Sequence, residues 1–66
     1  MSSVDDLKAE IKKLSAQAMQ AKMDLHDLSE ELPINYETIP DLARRAFDAY
    51  RLLEARRAAL KALTTA

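Results

Sequence analysis

The fold of this chain is decided by residues 31–40, which read ELPINYETIP and separate two long stretches of helix-forming residues. Pro33 disfavours helical geometry at the residue before it, so a first helix is expected to end there. Asn35 can cap a short turn, and Pro40 fits the first turn of a second helix, where its missing N–H costs little. Because helix–helix connections usually span about 2–8 residues, segment 32–39 predicts the turn of a helical hairpin.

The first predicted helix covers residues 4–31. Its apolar residues recur at alternating steps of three and four, which places them on one stripe of a helix. This stripe is called the α1 seam, and it comprises Val4, Leu7, Ile11, Leu14, Ala18, Ala21, Leu25 and Leu28. A seam of this kind indicates packing against a neighbouring helix.

The second predicted helix covers residues 40–63. Its seam, the α2 seam, is interrupted by Arg56 and otherwise comprises Leu42, Ala46, Ala49, Leu53, Leu60 and Leu63. Further apolar residues widen this face, namely Ala43, Phe47, Tyr50, Ala59 and Ala62. A wide apolar face is typical of a helix with two neighbours, as in a bundle.

Folding the two helices back on each other predicts an antiparallel register. The ion pairs expected from it are Arg56 with Glu10, and Arg44 or Arg45 with Asp24 or Asp27. Arg56 is the more informative position, because one polar residue in a seam can fix register and partner number.

The composition indicates how so small a chain is stabilised. It has 66 residues and no Cys, and its single His cannot make a structural zinc site alone. One core of this size rarely supplies more than about 3–5 kcal/mol without a further source of stability, and self-association is the source that remains. We therefore expect an all-α fold with a single domain, residues 1–66, whose antiparallel hairpin dimerises into a four-helix bundle.

The residues expected in the core or at the dimer interface lie on the two seams and beside them. They are Leu14, Ala18, Met19, Ala21, Met23, Leu25, Ala46, Ala49 and Leu53. Met19 and Met23 flank the two seam alanines of the first helix, and Met fills irregular gaps well. We expect both methionines to pack across the dimer interface; the alternative is that they belong to the core of one hairpin.

Charge and hydropathy limit the classes of function. The net charge is −1, no stretch is long and apolar enough to cross a membrane, and the N-terminal residues do not resemble a signal peptide. A cytoplasmic protein is expected.

The charges are distributed unevenly between the two helices. Residues 1–31 carry four Lys against seven acids, and residues 40–66 carry six basic residues against three acids. The two segments are therefore expected to attract each other. The alternative is that these charges simply lie on solvent-exposed helix faces.

The densest polar cluster lies at the end of the first helix and in the turn. Its members, and the expected partner-binding residues, are Asp24, His26, Asp27, Glu30, Glu31 and Tyr36. His26 and Glu30 are four residues apart on one helix face, so a divalent metal held there is an alternative. The spacing matches no defined metal motif, and an ordinary solvated helix end is the simplest interpretation. No other cofactor is expected.

Two other classes of function have less support in the sequence. The sequence contains no Gly-rich phosphate loop and no Cys nucleophile, so it is not expected to be an enzyme. RNA binding is the stronger alternative, because Arg44, Arg45 and Arg51 could form a basic stripe across a dimer. The net charge of −1 and the acidic first helix argue against it.

A family resemblance rests on four stretches of the sequence. They read QAKMDLHDL at residues 20–28, EELP at 30–33, IP at 39–40 and DAY at 48–50. In these the chain resembles the small Rop-like proteins of unknown function that are encoded in nitrogen-fixation gene clusters. The resemblance implies a helical hairpin that dimerises and an accessory place in nitrogen fixation. It supplies no mechanism; for an accessory protein of this kind, we expect a nitrogenase or nitrogenase-maturation protein as a partner.

Overall fold

A computed structural model describes residues 3–64; residues 1–2 and 65–66, at the ends of the predicted domain, lie outside the described part. Helix α1 runs over Ser3–Glu31 and helix α2 over Ile39–Thr64, with a short 3₁₀ helix at Tyr36–Thr38 between them. These bounds differ by at most one residue from the predicted ones. The chain is thus an antiparallel hairpin of two helices.

The core of the hairpin lies where the two seams meet. Leu14, Ala18 and Leu53 form one buried cluster, against which Ile11 and Ala49 pack. Small alanine side chains at the centre let the two helices approach closely. The hydrophobic residues that are buried are Leu14, Ala18, Leu28, Ala46 and Leu53. Since the molecule measures 49 × 15 × 14 Å, it is a rod two helices thick.

The turn is held by its own hydrogen bonds. The backbone N–H of Ile34 donates to the carbonyl oxygen of Glu31 at 3.0 Å, and that of Tyr36 donates to Pro33 at 3.3 Å. Asn35 adopts the left-handed conformation with φ 63°, which Asn tolerates better than most residues. Its carbonyl oxygen accepts hydrogen bonds from the N–H of Thr38 at 3.0 Å and from the Thr38 hydroxyl at 2.7 Å.

Asn35 caps the short 3₁₀ helix, as its position in the sequence predicts. Its side chain makes no capping hydrogen bond and is directed instead toward Glu31, with Nδ2 3.4 Å from Oε1. The cap therefore acts through the backbone of Asn35. Earlier in the turn, the Leu32–Pro33 peptide bond is cis.

One predicted interhelix ion pair is present. Nε of Arg56 lies 2.9 Å from Oε1 of Glu10, which confirms the expected register of the two helices. This Nε is buried, and its N–H is not aligned on an acceptor for a hydrogen bond. The contact is therefore best described as an ion pair that fills the gap in the α2 seam.

The prediction of an ion pair between Arg44 and an acid of α1 is wrong. Nε of Arg44 lies 3.9 Å from Asp48, four residues along its own helix, and Arg51 lies 4.0 Å from the same carboxylate. Spacings of three and four residues put these side chains on adjacent turns, within easier reach than the other helix. Arg45 shares a groove with Asp24, but the two form no ion pair within residues 3–64.

Candidate interaction surface

One side of the hairpin carries an open groove between the helices, named here the apolar groove. It is lined by Lys22, Leu25, Ala46, Phe47, Tyr50, Arg51 and Glu54. Phe47 is 59 % exposed and Tyr50 is 39 % exposed, although both are large and apolar. The charged residues stand at its margins, so the groove presents a contiguous hydrophobic surface to its surroundings.

The apolar groove follows from the local sequence of α2. Phe47 and Tyr50 are three residues apart, so they are neighbours on one side of the helix. Between them and α1 stands Ala46, whose small side chain is buried and leaves space beside the half-buried Leu25. The groove is thus formed by two exposed rings beside the space that the small side chain of Ala46 leaves open.

The opposite side of the hairpin carries a second groove, named here the polar groove. It is lined by Gln17, Gln20, Ala21, Asp24, Leu42, Arg45 and Ala49. Nε2 of Gln20 donates a hydrogen bond to Oδ1 of Asp24 at 2.9 Å. Since Gln17, Gln20, Asp24 and Arg45 contribute polar groups to this side, it shows no comparable continuous hydrophobic surface.

The two methionines predicted at the dimer interface lie outside the core of the hairpin. Met19 is 55 % exposed and Met23 is 50 % exposed, so the alternative that they belong to the intrachain core is wrong. Met19 lies one helical turn from Lys22 and thus beside the apolar groove. Of the other expected core or interface positions, Leu14, Ala18, Ala46 and Leu53 are buried, and Ala21, Leu25 and Ala49 are half-buried.

The predicted polar cluster is divided between two sides of the helix end. Asp24, Asp27 and Glu31 line one shallow cleft with Asn35 and Thr38. His26 lies apart from that cleft. Its Nε2 is 3.8 Å from Oε1 of Glu30, and its Nδ1 is 3.9 Å from Oδ1 of Asp27.

Few His or acidic side chains are placed to bind a divalent metal ion at His26, the alternative site. Both His26 and Glu30 are well exposed. Within residues 3–64, no group of three or more His, Cys, Asp or Glu side chains is arranged to hold a metal ion. His26 and Glu30 thus offer two ligands on an open helix surface.

The turn adds exposed hydrophobic side chains that the sequence interpretation missed, apart from Tyr36. The exposed large residues there are Leu32, Ile34, Tyr36 and Ile39. They stand in the segment 23–43, named here the turn end, which contains six acidic residues and no Lys or Arg. The sequence does contain a signal for this exposure. The apolar residues at 32, 34 and 39 lack helical spacing, so they belong to no seam in which they could be buried.

The three arginines proposed for RNA binding do not form one surface. Arg44 and Arg51 flank Asp48. Arg51 also lies at the margin of the apolar groove, whereas Arg45 lines the polar groove on the other side.

No helix within the described residues is long and apolar enough to span a membrane.

Two long antiparallel helices joined by a tight, hydrogen-bonded turn place this chain among the helical-hairpin proteins. More specifically, the chain belongs to the Rop-like family, whose model matches residues 2–65.

Relatives of known sequence carry the name UPF0437 protein. The one from Azorhizobium caulinodans is 51 % identical over 63 residues, covering 96 % of this chain and 91 % of the relative. The one from Frankia alni is named for its place in the nifX-nifW intergenic region; it is 52 % identical over 40 residues, which cover 61 % of this chain and 49 % of the relative.

A solved structure has the same fold. An NMR structure determined by the Northeast Structural Genomics Consortium superposes with a TM-score of 0.84 at 43 % sequence identity. The match covers 96 % of this chain and 89 % of the other. The hairpin is therefore a fold shared with an experimentally determined relative.

Proposed function

We propose that this chain is an accessory protein of nitrogen fixation that acts as a homodimeric helical interaction module. The link to nitrogen fixation is supported by the Frankia alni relative, which is named for its position between nifX and nifW. The observation that carries the dimer is the apolar groove, with Phe47 and Tyr50 exposed on a hairpin only two helices thick.

A second copy of the chain is the occupant that best suits the apolar groove. The hairpin buries few large side chains, and chains this small usually need a further source of stability. With no Cys available, that source is not a disulfide. Most homodimers use the same patch on both copies, and a groove bordered by two protruding rings can complement itself in this way.

The turn end is the surface proposed to bind another protein. It exposes Leu32, Ile34, Tyr36 and Ile39 among acidic side chains, and its hydrogen bonds hold it in one shape. A preformed apolar patch loses little conformational freedom on binding. The proposed partner is a nitrogenase or nitrogenase-maturation protein whose binding site is apolar and bordered by Lys or Arg.

The dimer is tested by a matched pair of substitutions on α2. Tyr50 and Leu52 are each 39 % exposed, but they lie about 200° apart around the helix, so only Tyr50 lines the apolar groove. In sedimentation equilibrium, Tyr50→Glu is expected to give a folded monomer and Leu52→Glu a dimer. Circular dichroism checks that both variants remain helical. A wild-type monomer at micromolar concentration, or a dimer in both variants, would contradict the proposal.

Partner binding is tested with purified nitrogenase and with the purified nifX and nifW gene products as probes in surface plasmon resonance. Ile34→Asp changes the exposed turn end, and Leu63→Asp changes an equally apolar exposed position at the other end of the rod. We expect wild type and Leu63→Asp to bind one of these probes and Ile34→Asp to lose binding at least tenfold. Equal binding by both variants, or no binding of any probe by wild type, would argue against this part of the proposal.

A further inference from the structure

Three side chains with soft or borderline metal-binding atoms follow one another along the outside of α1. They are Met19, Met23 and His26, in the pattern Met-x-x-x-Met-x-x-His, and they are named here the outer stripe. Residues three or four apart stand on adjacent turns of a helix, with Cβ atoms about 5–6 Å apart. Two thioether sulfurs and one imidazole are therefore neighbours, a donor set different from the pair of His26 and Glu30.

The outer stripe is directed away from the core of the hairpin. Met23 is two residues from both Ala21 and Leu25 of the α1 seam, so it lies about 200° around the helix from each. Both methionines are half exposed, and His26 is well exposed. Lys22, at the margin of the apolar groove, is about 100° around the helix from Met23. A second copy that covered the groove would therefore leave Met23 accessible.

The ring of His26 is not engaged by the carboxylates beside it. Its Nε2 lies 3.8 Å from Oε1 of Glu30 and its Nδ1 lies 3.9 Å from Oδ1 of Asp27. Both distances are too long for a hydrogen bond. A neutral imidazole has one nitrogen with a free lone pair, so His26 can offer that nitrogen to an ion held beside Met23.

The surroundings of the outer stripe favour a cation, and its donor atoms select which one. Met23 and His26 belong to the turn end, which has six acidic residues and no Lys or Arg, a net charge of −6. Negative charge of this kind raises the local concentration of cations. Carboxylates and water suit magnesium and calcium, whereas thioether sulfur selects monovalent copper and imidazole also suits copper.

We propose that the outer stripe binds a soft monovalent metal ion, Cu(I), through Sδ of Met23 and a ring nitrogen of His26, with Sδ of Met19 as the third ligand. Met19 and His26 are seven residues apart, about 10 Å along the helix axis, so the ion sits next to the central ligand, Met23. The helix already holds the three side chains on one side, and binding requires only that their rotamers change. This site goes beyond the proposed accessory function and does not depend on the dimer.

The site is tested with Ag(I) in a chloride-free buffer, because Ag(I) has the charge and softness of Cu(I) and is stable in air. Isothermal titration calorimetry measures the stoichiometry and the dissociation constant, and NMR of the methionine methyl groups and the histidine ring identifies the ligands. Wild type is expected to bind one Ag(I) per chain, with the signals of Met19, Met23 and His26 shifting together. Absence of saturable binding would overturn the proposal.

Substitutions separate this site from other ways of holding the ion. Met23→Leu and His26→Gln should each weaken binding by about tenfold or more, since even the loss of a group that only orients a metal ligand has an effect of this size. Met1→Leu, which removes the remaining methionine, and Glu30→Gln are the controls and should change it little. An equal loss in either control, or tighter binding of Zn(II) than of Ag(I), would assign the ion to other ligands and overturn the site.

Discussion

The two grooves of the hairpin border the same seams, yet they differ in what they expose. On one side Phe47 and Tyr50 stand beside Leu25, and the hydrophobic surface is continuous. On the other side Gln20, Asp24 and Arg45 interrupt it, although Leu52 on that flank is as exposed as Tyr50. Single exposed apolar residues are ordinary on protein surfaces, whereas contiguous ones mark contacts.

In the proposed function, the parts of the molecule have separate roles. The apolar groove binds a second hairpin, the polar groove faces water, and the turn end binds another protein. The groove and the turn end share only Leu25, so a substitution of any other residue in one surface leaves the other surface in place. Three substitutions, with decreasing expected effects, test this difference between the grooves.

The largest effect on stability is expected from truncating a buried side chain of the α2 seam, which borders both grooves. Leu53 is buried in the central cluster, so Leu53→Ala leaves a cavity and should lower the free energy of unfolding by about 2–5 kcal/mol. Leu52→Ala, the exposed neighbour, should change it by less than about 0.5 kcal/mol. Urea denaturation at fixed protein concentration measures both. Similar losses in the two variants would show that the seam is not the core.

A smaller effect is expected at the apolar groove. Phe47→Ala removes an exposed ring whose burial against a second copy is worth about 1.5–3 kcal/mol, so the dimer dissociation constant should rise about tenfold or more. Gln20→Ala in the polar groove should leave it unchanged. Sedimentation across a dilution series gives both constants. If the Gln20 variant dissociated as readily, the two grooves would have to be reassigned.

The smallest effect is expected at the interhelix ion pair. Glu10 and Arg56 are each more than one-third exposed, so Glu10→Gln should cost about 0–1 kcal/mol, and less at high salt because charges are then screened. Glu54→Gln, which alters a pair within α2, is the control and should have little effect. Thermal unfolding at low and high salt measures the difference. A loss that does not depend on salt would indicate a packing role for Glu10 instead.

The sequence was sufficient for the features that depend on local spacing. Alternating steps of three and four define the seams, two prolines define the turn, and folding back predicts the pair Glu10–Arg56. The resemblance to Rop-like proteins, drawn from short stretches such as residues 20–28, agrees with the family match.

The candidate surface was harder to predict, because it depends on which flank of each helix remains uncovered. The sequence predicts that Phe47 and Tyr50 widen the apolar face, but the groove also requires the small Ala46 opposite Leu25. It places the methionines beside the seam, yet half of each side chain is exposed. The predicted pairing of Arg44 with α1 is wrong because an acid four residues away on α2 competes successfully for it.

The thinness of the rod has a consequence for how the protein responds to its own abundance. A hairpin with a single layer of buried side chains keeps little stability in reserve, so any gain from pairing depends on the concentration of free chains. The temperature of unfolding should therefore rise as the protein is concentrated. In a cell, chains made in small amounts would be the less stable monomers and more open to proteolysis, and the dimer would accumulate only once the concentration of chains exceeds the dissociation constant.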